Sequence, residues 1–121
     1  MTNIDKAVFD KLKERMKGKF PVLLGGYLRD AKAYLNTIDT NLDGGDIAEI
    51  IGSSHSLKSA SGLLGIGKVH DEAKNVEYLA KDMVEAGTNT LESLKPACAE
   101  LANAFASVEG ELQKELDAIG A

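Results

Sequence analysis

The sequence predicts an all-α fold: an antiparallel four-helix bundle with a short additional N-terminal helix. Three observations carry the prediction. Apolar residues recur every three or four positions over most of the chain's 121 residues, the repeat of helices that each bury one face. β-branched and aromatic residues never alternate with polar ones over a useful length, so strands are not expected. Glycines, two prolines and short polar clusters cut the chain into pieces with short connections, which suits neighbours packed antiparallel. With no low-complexity tract, long linker or internal repeat, residues 1–121 read as a single domain.

Each element has its own signal. Ile4, Val8, Leu12 and Met16 fall one per turn and describe a short amphipathic helix over Ile4–Met16, ended by Gly18. Pro21 suits the first turn of a second helix, whose buried face is Leu24, Tyr27, Leu28, Ala31, Tyr34, Leu35 and Ile38. Gly25 and Gly26 lie inside that helix at a cost of about 1 kcal/mol each relative to Ala, so close packing is expected there. "TNLDGGD" is a loop, and Asp43 with Asp46 resembles a capping arrangement for the third helix. That helix carries Ile47, Ile50, Ile51, Leu57 and Leu64, with Ser54 and Ser61 on the same side, and Gly65 and Gly67 stop it. In the fourth, Val69, Ala73, Val76, Ala80, Met83 and Val84 keep helical spacing until Gly87. The last and longest has a stripe of Leu94, Cys98, Leu101, Phe105, Val108, Leu112, Leu116 and Ile119. Its start has two solutions: Asn89 with Glu92 caps it and Pro96 kinks it, or Ser93 caps it and Pro96 lies in its first turn.

Composition excludes several classes of function. A net charge of -5 and a pI near 5.0 leave no electrostatic footprint for nucleic acid, and no polybasic block suggests anionic lipid. The apolar runs "FPVLL" and "GLLGIG" fall far short of the roughly 18 residues of a membrane span. The N-terminal residues contain no apolar region for a signal peptide. One cysteine, Cys98, cannot form an internal disulfide and fits a reducing compartment; on the apolar stripe it reads as a small core residue. A cytoplasmic location is expected. Two histidines without clustered cysteines give no zinc site.

The segment "SLKSASGLLGIGKV", residues 56–69, comes close to a P-loop, since Gly62, Gly67 and Lys68 have the spacing of G-x-x-x-x-G-K. The chemistry fails. A P-loop follows a strand and places Ser or Thr after its lysine to hold Mg²⁺, whereas Val69 stands there and a helix precedes Gly62. Lys68 is then a loop or first-turn lysine.

His55, one residue upstream, offers a different chemistry. At about 100° per residue, His55, Lys58, Ser59 and Gly62 share one side of the third helix, off its apolar stripe. The imidazole therefore sits at the edge of the buried face, reachable from outside. Gly52, Ser59 and Gly62 are small and leave room for another protein to approach it. A neutral imidazole is a nucleophile near pH 7, and Lys58, one turn along, can offer an ammonium to phosphoryl oxygens. Nothing in the chain binds ATP, and no acidic trio holds catalytic Mg²⁺, so a partner must bring those parts. His70 is a weaker rival, with Ala73 and Glu77 at the following helical positions and no cation at the place comparable to Lys58.

These residues, His55, Leu57, Lys58, Ser59, Ala60, Ser61, Gly62, Leu64 and Gly65, followed by Val76 and Glu77, resemble the signature of the histidine phosphotransfer (HPt) domain of multistep two-component relays. The upstream "FPVLLGGYLRDAKAYL" also looks like that family's second helix, so the resemblance covers nearly the whole chain. Ser59 stands where the family usually has Gly; clearance is that Gly's role in a helix, and Ser is the next smallest polar choice. The resemblance implies a monomeric carrier, not a kinase, that takes a phosphoryl group on His55 and exchanges it with an aspartate of a response-regulator receiver domain. A hybrid sensor histidine kinase would stand upstream. No cofactor of its own is implied, and Mg²⁺ would belong to the receiver. Gly52, Ser59, Gly62 and the outward-pointing Leu63 would be docking contacts. Met1 together with a full set of helices suggests a free-standing carrier rather than a fragment of a kinase. Two other readings remain: an adaptor that docks the same receivers without phosphorylation, and a small metal-binding or enzymatic bundle, for which the apolar stripes provide no clustered inward ligands.

Overall fold

The computed structural model describes residues 3–88 and 90–120. Among them are five α-helices and no strand: α1 (Lys6–Met16), α2 (Phe20–Asn41), α3 (Ile47–Leu63), α4 (Gly67–Ala86) and α5 (Lys95–Gly120). The main interfaces are α2 with α3, α3 with α4, α4 with α5 and α5 with α2, which closes four antiparallel helices into a ring around one core. The short α1 covers one end, where the backbone N–H of Asp5 donates to Gly65 O at 2.6 Å across the α3–α4 connection. The bundle and its extra helix are those expected from the sequence.

Local differences have physical reasons. The carboxylate of Asp5 caps α1 by accepting from the N–H groups of Ala7 and Val8, so the helix begins after Ile4. Ile4 is buried outside the helix, and the inward face of α1 is Phe9 and Leu12 with Met16 partly buried, while Val8 is exposed. Phe9 meets Phe20 edge-on at a centroid distance of 5.2 Å, an arrangement that favours aromatic pairs beyond their buried area. α1 ends at Lys17, whose φ of 50° carries the chain into a 3₁₀ turn over Lys17–Lys19; Gly18 does not take the positive φ. Pro21 occupies the first turn of α2, as expected. Gly25 and Gly26 are not closely approached: a Cβ there would meet Leu116 Cδ2 at 3.7 Å and an Arg29 guanidinium nitrogen at 3.6 Å, both ordinary contacts.

Asp46 alone caps α3, accepting from Ala48 N–H at 2.9 Å, while Asp43 faces solvent and pairs with Lys95 at 3.4 Å. Gly65, with φ +76°, ends α3; Gly67 instead begins α4. Gly87, with φ +72°, closes α4, and Val84 is exposed rather than in the stripe. The final helix follows a 3₁₀ turn over Leu91–Leu94 and starts at Lys95, so Pro96 lies in its first turn. Ser93 does not cap it; its hydroxyl donates back to Thr90 O at 2.7 Å. Asn89 lies outside the described residues. The stripe Leu94 to Leu112 is buried, with Leu116 and Ile119 packed partly against it. None of the described helices is long and apolar enough to cross a membrane.

Candidate functional site

The site is built where the middle of α3 faces the middle of α4. Leu57 and Ser61 fix the α3 register from below: Leu57 is fully buried, and Ser61 shares a 2.8 Å hydrogen bond with the buried hydroxyl of Tyr27 on α2. Burial is the main cause that pushes the Tyr27 phenol up to about 12, against a smaller opposing effect of Ser61, so it stays a neutral partner. With that face turned inward, His55 and Lys58 lie at the α3–α4 edge. His55 is 58% exposed and Lys58 only 18%.

Both converge on Glu77 of α4, a carboxylate with no solvent exposure. Oε2 lies 2.9 Å from His55 Nδ1 and 2.8 Å from Lys81 Nζ; Oε1 lies 2.6 Å from Lys58 Nζ. The Oε1 contact is an ion pair off hydrogen-bonding angles, and no hydrogen-bond partner reaches that oxygen. Burial alone would push the Glu77 carboxyl upward, but contacts from Lys58, Lys81 and His55 outweigh it and hold it near 2. Glu77 is therefore an anion at neutral pH and can only accept, so His55 Nδ1 must carry the hydrogen of their bond. In the neutral ring this selects the tautomer with hydrogen on Nδ1, which leaves the lone pair on Nε2. Tyr78 packs beside the cluster, with Lys58 Nζ 5.6 Å and Lys74 Nζ 5.5 Å from its ring centroid.

In the sequence Glu77 stands out only as a member of the family signature and as a neighbour of His70, and Lys81 not at all. A signal was present. Glu77 stands four residues after Ala73 and three before Ala80, on the buried stripe of α4, where an acidic residue demands partners. Lys81 is four residues further on the same face.

The structure separates the expected docking residues. Gly52, Ser59 and Gly62 are exposed on α3, and a Cβ at Gly52 would meet nothing within 4 Å. At Gly62 a Cβ would approach His70 Nδ1 to 3.0 Å, so this glycine makes room for a neighbour in its own chain. His70 Nδ1 in turn lies 2.9 Å from Lys58 O, tying the first turns of α4 to α3. Leu63 is exposed on the other flank of α3, beside a shallow groove of about 170 Å³ shared with Leu23, Tyr27 and Tyr34 of α2. A larger cavity, about 570 Å³ between α2 and α5, holds none of the His55 cluster; Cys98 lies in its wall, its thiol pushed up to about 11 by burial and then by Asp39. Lys68 pairs with Glu72 at 3.1 Å in the first turn of α4 and takes no part. Among the described residues no group of three His, Cys, Asp or Glu side chains could hold a metal ion.

Comparison with known proteins agrees with this architecture. Two solved structures are similar over nearly the whole chain. HptB, a histidine-containing phosphotransfer protein from Pseudomonas aeruginosa, is 23% identical, with 95% of each chain covered and a TM-score of 0.84. A rice protein assigned as a histidine-containing phosphotransfer protein is 21% identical, with 98% of this chain and 85% of the other covered and a TM-score of 0.80. At these identities the likeness shows the fold. No curated protein matches the chain. The Hpt domain family model matches residues 22–121, a span that takes in the bundle helices. The chain therefore belongs to the Hpt domain family, whose members are phosphocarriers of phosphorelays and not kinases.

Proposed function

We propose that this chain accepts a phosphoryl group on Nε2 of His55 and exchanges it with an aspartate of a response-regulator receiver domain, fed by a hybrid sensor histidine kinase. The observation that carries the proposal is the pairing of a solvent-facing imidazole, on its inner nitrogen, with the fully buried carboxylate of Glu77. That bond fixes both the tautomer and the ring orientation, which leaves the outer nitrogen as the nucleophile.

The step balances without a proton leaving the site. The Nε2 lone pair attacks phosphorus, the P–O bond to the aspartyl carboxyl breaks, and its electron pair returns to that carboxylate. The ring, still bearing hydrogen on Nδ1, becomes a phosphoimidazolium whose positive charge lies opposite Glu77. In onward transfer the N–P bond breaks and its electrons return to Nε2, restoring the neutral ring. Because phosphoryl transfer asks for positioning and charge neutralisation, the chain's contribution is an aimed nitrogen and nearby ammonium groups. Mg²⁺ belongs to the receiver in this scheme, and the carrier acts as a monomer through α3, with Gly52, Ser59, Gly62 and Leu63 at the contact.

The test mixes the protein with a phosphorylated receiver domain. Wild type acquires acid-labile, base-stable phosphate, and H55Q acquires none while still folding. Equal labelling of the two removes His55 from the reaction.

A further inference from the structure

We propose that the two lysines on Glu77 divide the work: Lys81 supplies the ammonium that neutralises the phosphoryl group, and Lys58 is a positioning residue that holds Glu77 in place. This rests on the reading of His55 as phosphoryl acceptor. It moves the phosphoryl contact away from Lys58, where sequence spacing alone had put it.

The two oxygens of Glu77 are unequal. Oε1 has only Lys58, at 2.6 Å, and no hydrogen-bond partner; it is buried. Were Lys58 to swing onto a phosphoryl oxygen, buried Oε1 would lose its one charged partner, an arrangement proteins avoid. Lys58 is also the more confined chain, 18% exposed, with its ammonium between the carboxylate and the Tyr78 ring. Oε2, by contrast, has a hydrogen-bond partner in His55 Nδ1 at 2.9 Å besides its ion pair with Lys81 Nζ at 2.8 Å. Lys81 can leave and Oε2 still accepts from the imidazole, so its release uncovers nothing. Its side chain is 52% exposed and able to move into solvent. Since it shares Oε2 with His55 Nδ1, its ammonium stands beside the imidazole that would carry the phosphoryl group. Phosphorylation then exchanges one anionic oxygen for another at Lys81, with no proton transferred, while Lys58 and Glu77 stay paired.

The experiment measures transfer from a phosphorylated receiver domain at saturating receiver, so that docking cancels, in wild type, K81A, K81R, K58M, K58M/E77Q and H55Q. Each variant is also unfolded in urea. The expected result is that K81A slows transfer roughly tenfold to a hundredfold, the range of a lost charge-assisted hydrogen bond, while its urea midpoint stays near that of wild type. K81R restores the greater part of the rate. K58M lowers the urea midpoint, and the added E77Q substitution recovers part of the loss, because a neutral amide needs no counter-charge. Transfer by K81A at the wild-type rate overturns the division, as does a K58M defect equal to that expected of K81A with an unchanged midpoint. If label depends on His55 but not on Lys81, this inference alone fails; if H55Q is labelled like wild type, the reading beneath it fails as well.

Discussion

Replacing Glu77 by Gln tests the electrostatic centre of the site. The side chain keeps its shape and can still accept from His55, but the anion shared by His55, Lys58 and Lys81 is gone. In the folded protein the carboxyl is held near 2, against an ordinary value of 4.5. Taken at full weight this difference corresponds to about 3 kcal/mol. His55 and Lys81 face solvent, which screens their part, so the stabilisation from ionised Glu77 is about 1–2 kcal/mol. The sign is that of a depressed acid. The unfolded chain takes up the proton first, so the contribution is fully present above about 4.5 and is lost as pH falls toward 2. Urea unfolding of wild type and E77Q at pH 7, 4 and 3 reads this directly. The gap between the two proteins is expected to be about 1–2 kcal/mol at pH 7 and to narrow steadily below 4.5. A gap that is constant from pH 7 to pH 3 would refute the claim that folding holds Glu77 ionised.

Other predictions concern the scaffold. G25A and G26A should each raise stability by up to about 1 kcal/mol in thermal or urea unfolding, because the helix gains propensity and the new methyl meets only ordinary contacts. G65A should cost about 2 kcal/mol or more, since φ is +76° and the added Cβ would come within 2.9 Å of Val8 Cβ and 3.0 Å of Asp5 O. Y27F should cost about 1–2 kcal/mol by leaving the buried Ser61 hydroxyl alone, and Y27F/S61A should recover part of it; additive losses in the cycle would contradict a direct coupling.

How much of this was legible in the sequence differs from element to element. The bundle was, because stripes such as Val69, Ala73, Val76 and Ala80 are a one-dimensional signal that burial imposes directly. So was the placement of His55 at an accessible edge, which follows from angles along one helix. What escaped depends on contacts between elements. Val8 and Phe9 both suit a helix face, and only the cap at Asp5 and the meeting with Phe20 select Phe9. The small size of Gly62 is visible in the sequence, but the His70 ring set against it from α4 is not. The spacing of Lys58 from His55 is visible in the sequence; its contact with Glu77 spans two helices and leaves no local trace. Glu77 was the readable omission: an acid on a buried stripe is itself a sign that cations converge there. The start of α5 could not be chosen from sequence, since a 3₁₀ turn over Leu91–Leu94 precedes it and Ser93 turns its hydroxyl back to Thr90 O.

The most direct measurement of the central claim is nitrogen-15 NMR of the histidine rings in the phosphorylated protein, which reports the nitrogen bonded to phosphorus and the nitrogen bearing hydrogen. The account predicts phosphorus on Nε2 of His55, hydrogen retained on Nδ1 toward Glu77, and a His70 ring unchanged at both nitrogens. Phosphorus on Nδ1 of His55, or on either nitrogen of His70, would contradict it.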